Sequence, residues 1–327
     1  MGPDRGMIGD EDFRRHCVAA ALLSAAILAL VLSGYAGRDR LAEIAILAIF
    51  AMSLDVLVGF TGLVSLGHAL FYGLGAYAMA AFATMLKLPA GLAIPLAVLV
   101  AGLAAFLVGI LAIRVRGVFF IMITLAFGQM GWAYFQRSRT FGGIGGLSGI
   151  GQPDLDAIGL SLANPADMAL IAVVAAALVY LALARVTASP FGRMLVAIHQ
   201  NESRARALGL PVQSYKLAAF TLAGAVAGLA GVLAAERTNF VSPDLLVWTV
   251  SGEVLIMVIV GGLGTLVGPA LGATIWVLLR DNLSALTPYW MLAMGLFFVA
   301  VVLFAEEGLY GLAARIPWPK RRRPSDA

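Results

Sequence analysis

The chain has 327 residues, 61% of them hydrophobic and only 12% charged, and its formal net charge is +4. Soluble domains are about 45–50% apolar, so this composition, with a mean hydropathy of +0.95, excludes a soluble globular protein. Its apolar runs lack the period-2 alternation of a barrel, and backbone amides in lipid must pair internally, so the fold class is all-α: a polytopic transmembrane helical protein.

The basic excess sits mainly at the ends of apolar runs and in short loops, where membrane topology places it. Lipid is therefore an expected partner and nucleic acid is not.

In chain order, a polar tail (1–16) carrying Arg14 and Arg15 precedes the apolar run 17–35. That run exceeds the roughly 7–15 residues of a signal-peptide core and a second follows almost at once, which favours an uncleaved span. Cys17, the single cysteine, leaves no disulfide within the chain and suggests no thiol metal site.

Further spans are expected at 41–59, 66–86, 91–113, 117–136, 165–185, 213–235, 247–263, 267–280 and 288–306, about ten with the first, since ~20 helical residues cross ~30 Å of hydrocarbon. The motif "GGLGTLVGPALGA" splits 247–280, so short or broken helices are expected there, where protein or a cavity covers the backbone. Residues 17–312 form one transmembrane domain, and 313–327 form a basic tail. Arg14, Arg15, Arg114, Arg116, the cluster Arg185 to Lys216, and Lys320 to Arg323 fall on one side, against Arg38, Arg40, Lys87, Arg137, Arg139 and Arg237 on the other. The positive-inside bias places both termini and the 187–212 loop in the cytoplasm, and the long loop 137–164 outside.

The segments "VGFTGLVSLGHALFYGLGA" (58–76) and "VGGLGTLVGPALGA" (260–273) echo each other in glycine spacing. The echo suits either a parallel duplication or ordinary small-residue helix packing.

"SPFGRMLVAIHQNESRARALG" (189–209) stands out by its polarity. Ser189 suits an N-cap and Pro190 the first helical position. Gly209 suits a left-handed C′ residue, and Pro211 stops continuation. Phe191, Met194, Leu195, Ile198, Ala205 and Leu208 share one face, while Arg193, His199, Gln200, Glu202, Ser203, Arg204 and Arg206 fill the rest, which is the pattern of one amphipathic surface helix. It either rests on lipid headgroups or docks a protein; the mixed signs, with Asn201 and Glu202 among them, favour a protein partner.

Intramembrane ionisable residues are functional candidates by default. Asp55 and Glu43 lie near span ends and are expected to reach water. Ser65 and His68, three apart, are placed on one helix face toward a pathway, with helix-to-helix hydrogen bonding as the alternative. Glu253 reads as a first-turn acid, and Glu236–Arg237 and Arg280–Asp281 as end-of-span charges. Gly62, Gly262 and Gly264 mark expected breaks, where half-helix ends near the midplane would present their dipoles.

Together these stretches resemble the permease subunits of ABC importers of the branched-chain amino acid class, LivM-type. The resemblance rests on "SPFGRMLVAIHQNESRARALGLPVQSYKLAAF" and on "SLDVLVGFTGLVSLGHALFYGLGAY" (53–77). It continues through "RVRGVFFIMITLAFGQM" (114–130), "FGGIGGLSGI" (141–150), "VLIMVIVGGLGTLVGPALGA" (254–273) and "VLFAEEGLYGL" (302–312). Glu306 stands where that family's final motif usually has proline.

The resemblance implies that 189–209 is a coupling helix docking on an ATPase, with Phe191, Gly192, Arg193, Asn201, Glu202, Arg206 and Gly209 as its contact set. It also implies a homologous second permease, two P-loop ATPases binding ATP and Mg, and a periplasmic or surface-anchored binding protein, all at a bacterial-type inner membrane. Gly62, Ser65, His68, Gly262 and Gly264 are the pathway candidates.

No Gly-Lys-Ser/Thr occurs in the chain, whose lysines are Lys87, Lys216 and Lys320, so a phosphate-binding loop must come from elsewhere. His16, His68 and His199 are scattered, without metal-site spacing, so neither a cofactor nor enzymatic activity is expected. Urea, short amides or other small solutes are alternative cargo, and an ion-coupled secondary transporter is the rival class.

Overall fold

The computed structural model describes residues 37–150, 164–304 and 308–309. The first expected span, Glu306 and both tails, with the cytoplasmic placement of the termini, lie outside the described residues.

The bundle is built on α1 (Arg38–Thr61), whose most apolar stretch is 89% buried. Helix α2 (Ala69–Thr84) follows, then α3 (Ala90–Ala112) and α4 (Val118–Arg137). Helix α5 (Pro165–Ala188) begins at Asn164, whose side chain accepts the Ala166 N–H, with Pro165 in the first turn. Two short helices, α6 (Pro190–Gln200) and α7 (Glu202–Ala207), lead into the long α8 (Val212–Thr238). The chain ends in α9 (Trp248–Gly261), α10 (Val267–Leu286) and α11 (Trp290–Phe304). A two-residue antiparallel ribbon pairs β1 (Leu147–Ser148) with β2 (Phe240–Val241).

Ten crossings was an overcount for these residues. Among the described residues, five helices are long and apolar enough to cross a membrane: α1, α3, α4, α5 and α8. Helices α2, α9 and α11 are shorter apolar helices of 16, 14 and 15 residues, and α10 carries Arg280 and Asp281 within its length. Sixteen helical residues cover only about 24 Å, so the expected short or broken helices are present at both glycine-rich segments.

Small residues bring the backbones together, as they do between helices that gain no hydrophobic drive in lipid. Gly75 lies on the Gly228 backbone, and Gly231 on the Tyr72 carbonyl. Aromatic rings fill what remains: Phe50 stacks on Tyr72 at 4.5 Å, Tyr77 on Phe135 at 4.0 Å, and Phe71 meets Phe220 edge-on at 5.4 Å. Helix α4 is the least enclosed of the crossing helices, at 22% buried.

Candidate functional site

The polar stretch forms at one end of the bundle. Ser189 caps α6, accepting the Gly192 N–H at 3.5 Å, and Pro190 opens the helix. The single helix expected from sequence is two. Asn201 leaves helical geometry (φ −158°, ψ 95°), ends α6 through its own N–H to the Ala197 carbonyl, and caps α7 by accepting the Arg204 N–H at 2.9 Å.

Because the helical phase restarts there, Leu208 does not join the buried face. Leu195, Ile198 and Ala205 are buried, whereas Leu208 is 76% exposed. Gly209 takes φ 83° before Pro211, as the C′ position requires.

Of the proposed contact set, Gly192 is buried against the Thr187 backbone, where it sets the angle between α5 and α6. Phe191 is half-buried and stacks on Tyr215 at 5.6 Å. Arg193, Asn201, Arg206 and Gly209 are exposed and, with Leu208, form the free surface.

Glu202 is turned inward instead. Its Oε2 accepts Lys216 Nζ at 2.8 Å, and its Oε1 meets Arg206 at 2.9 Å and Arg116 at 3.0 Å. One carboxylate thus ties α7 to α8 and to the turn between α3 and α4. Partial burial opposes its charge, but the bonded Lys216 ammonium and the two guanidiniums outweigh that and hold its carboxyl below the ordinary value of 4.5.

The residues predicted as a pathway sit where two helices are interrupted. Helix α1 ends at Gly62, at φ 72° with its N–H on the Leu57 carbonyl, a left-handed end suited to glycine. Residues 62–68 are then non-helical and turn back into the bundle. His68 reaches Ser53 (Nε2 to Oγ, 2.8 Å), while the Ser53 hydroxyl donates to the Phe50 carbonyl. Ser53 is eight residues, about 12 Å, back from the end of α1.

Ser65 and His68 therefore do not share a helix face. Both are fully buried in a non-helical strip, and Ser65 Oγ and His68 Nδ1 have no hydrogen-bond partner among the described residues. The His68 proton is assigned to Nε2, because Ser53 has spent its own on Phe50.

Helix α2 begins at this inner level, its Ala69 N–H donating to Ser251 Oγ of α9 at 2.8 Å. The Leu70 and Phe71 amides go to the Gly67 and His68 carbonyls. The half-helix end is thus capped from within the protein.

The second interruption lies beside the end of α1. Asp55 is fully buried. It does not reach water, as sequence position suggested; it accepts the Gly264 N–H at 2.7 Å and the Leu266 N–H at 3.2 Å. This clamp holds the 262–266 turn, in which Gly262 and Gly264 have φ 116° and 71° and Leu266 has φ 57°, a conformation a leucine rarely adopts. Asp55 is the residue that sequence reasoning undervalued. The signal was there, since a carboxylate inside an apolar run needs a partner, but its partners are amides more than 200 positions away.

At the opposite end, Arg237 bonds Asp39 and Glu43, Arg280 bonds Glu43 and Asp281, and Arg40 bonds Asp281. These are one network joining α1, α8 and α10 rather than separate end-of-span charges. Glu236 was expected among those charges too, yet it is 1% exposed. Glu253 is the sixth residue of α9 and exposed, so the first-turn reading fails. Among the described residues no group of three or more His, Cys, Asp or Glu is placed to hold a metal.

A profile described as "Branched-chain amino acid transport system / permease component" matches residues 39–305. The chain belongs to that family of transport permeases. It is 32% identical over 283 residues to the high-affinity branched-chain amino acid transport system permease protein LivM of Salmonella typhimurium, covering 80% of this chain and 67% of that one. With LivM of Escherichia coli the identity is 31% over the same shares. Over a shorter stretch, 36% of this chain and 37% of the relative, it is 32% identical to the L-arabinose ABC transporter permease protein AraH of Azospirillum brasilense. No solved structure matches. The chain is a multi-pass ABC permease, a transport component, and the family match spans both helix interruptions and the α6–α7 pair.

Proposed function

We propose that this permease translocates branched-chain or related amino acids delivered by a solute-binding protein. It works beside a homologous second permease, and two separate ATPase subunits, which bind ATP and Mg, dock on 189–209. The observation that carries the reading is the α6–α7 pair. It is anchored inward by Leu195, Ile198, Ala205 and Glu202, while Arg193, Asn201, Arg206 and Leu208 face outward. Glu202, the one acid of 189–209, is spent on internal ion pairs, so the outward face is cationic around Leu208, a surface that an acidic protein partner complements.

On this reading the α6–α7 end faces the cytoplasm of a bacterial-type inner membrane, and the Asp39–Glu43–Arg237–Arg280 network faces the binding protein. The arabinose permease relative favours keeping other small polar cargo as a second reading.

The test is gentle purification of the tagged chain from native membranes with mass spectrometry of what accompanies it. A second permease with P-loop ATPases is the expected result; a transport-competent chain without ATPases would overturn it. Uptake of labelled leucine against arabinose and urea decides the cargo.

Glycine replacement tests the interrupted segments. Ala at 62 must adopt φ 72° and place its Cβ 2.8 Å from His199 Cδ2; Ala at 264 must adopt φ 71° with 3.4 Å to the nearest atom. Gly62→Ala is therefore expected to lower uptake more than Gly264→Ala, with membrane levels unchanged, and equal normal uptake in both would count against a moving role for these turns.

A further inference from the structure

Three features meet at one place that the docking reading does not use. His199 projects from the α6–α7 surface and its Nδ1 lies 3.1 Å from the Gly59 carbonyl. A carbonyl only accepts, so Nδ1 carries the proton. Gly59 O is one of the last carbonyls of α1, which lack an intrahelical donor, and the Gly62 and Leu63 amides both go to Leu57. His199 thus caps α1 from another part of the chain. Its ring also lies over Gly62, where a Cβ would come within 2.8 Å.

The far side of the same helix end touches the second interruption. Gly59 lies directly against the Gly264 backbone, leaving no room for a Cβ, and Asp55, one turn earlier, holds the Gly264 and Leu266 amides. The contacts run without a gap from α6 to the end of α1 and on to the 262–266 turn. Beyond the His199 ring every link is backbone or the short Asp55 side chain, so His199 is the link through which a displacement of α6 reaches the turn.

We infer that His199 is the positioning residue that ties movement of the 189–209 segment to the 262–266 turn, by capping α1 at Gly59 beside the Asp55 clamp. The inference rests on the docking role proposed above. The test therefore reads coupling itself and not merely stability.

Two substitutions separate the roles. His199→Ala removes the donor; His199→Asn places an amide N–H close to where Nδ1 stood. In the reconstituted transporter, His199→Ala is expected to raise the ATP hydrolysed per substrate imported by about five-fold or more, with ATPase co-purification and membrane level as in wild type. His199→Asn restores the ratio to within about two-fold of wild type, the residual being below that coupling range. Hydrogen exchange in lipid nanodiscs gives the second readout: peptides covering 262–268 exchange faster in the Ala variant and not in the Asn variant. Unchanged exchange overturns the inference. Faster exchange with an unchanged ATP-to-substrate ratio overturns it too, because His199 is then a static cap. If wild-type chain carries no ATPase, the docking reading has failed, and the exchange comparison alone decides whether His199 controls the turn.

Discussion

Asp55→Ala is expected to lower the stability of the purified permease by roughly 1.5–4.5 kcal/mol, since the buried Leu266 amide loses its acceptor at about 1–3 kcal/mol and the half-buried Gly264 amide loses a hydrogen bond of about 0.5–1.5 kcal/mol. Leu266 is buried beside the fully buried Asp55, so its N–H finds no water in place of the carboxylate, whereas Gly264 is half-buried. Loss of the clamp also releases Leu266 from φ 57°, a strained position that persists only while its surroundings over-determine it. Asp55→Asn is expected to fall between, because its carbonyl oxygen still accepts from one amide while its NH2 faces the other donor. Thermal unfolding in detergent, with membrane accumulation alongside, measures the series. An Ala variant with the wild-type midpoint would mean that the amides find other partners and that the carboxylate does not hold the turn.

Glu202→Lys is expected to abolish coupled transport while leaving the helical bundle in the membrane. The change places a fourth cation among Arg116, Arg206 and Lys216, and strands Lys216, whose side chain is 9% exposed. Removing one partner of a buried pair costs about 3–5 kcal/mol, and Lys216 comes close to that case. The loss is local, because Glu202 holds α7 to the first turns of α8 and to the Arg116 turn and bonds no other crossing helix.

Gly209→Pro reaches the same end by another route, since proline has no N–H to give the Arg206 carbonyl and cannot adopt φ 83°. The expected readings are near-normal membrane levels and ATP hydrolysis without import. Import at the normal rate in either variant would remove 189–209 from the coupling role.

The Glu202 carboxyl is held below its ordinary value, so the sign of the pH dependence follows. The ion pairs are fully present at neutral pH, and they are lost only as pH falls below the ordinary glutamate range through the lowered value. Protease cleavage within 201–210 of the nanodisc-embedded chain should therefore stay flat from pH 7 to about 5 and rise only below that.

Much of the architecture is local and therefore readable. Expected spans such as 91–113, 117–136 and 165–185 lie within a few residues of α3, α4 and α5, because apolar length and punctuation by Gly, Pro and Asn are local signals. The Ser189 cap, Pro190 and Gly209 act where the sequence put them, since a cap concerns only its own turn. Asn201 misled because Asn suits both a helix surface and an N-cap, and the competing cap at Arg204 prevailed.

The sequence by itself determined the class, the apolar helical segments though not how many of them cross, the glycine-rich interruptions and the polar segment at the bundle's end, because each is set by hydropathy or backbone preference within a few residues. Only the tertiary structure decided what the charged and polar residues do. Asp55 clamps amides 209 and 211 positions away, Glu202 gathers three cations from three elements, and Glu43 joins Arg237 to Arg280. A polar group inside an apolar bundle takes whichever partner the packing of small residues brings within hydrogen-bond reach, and that choice is made across the fold rather than along the chain.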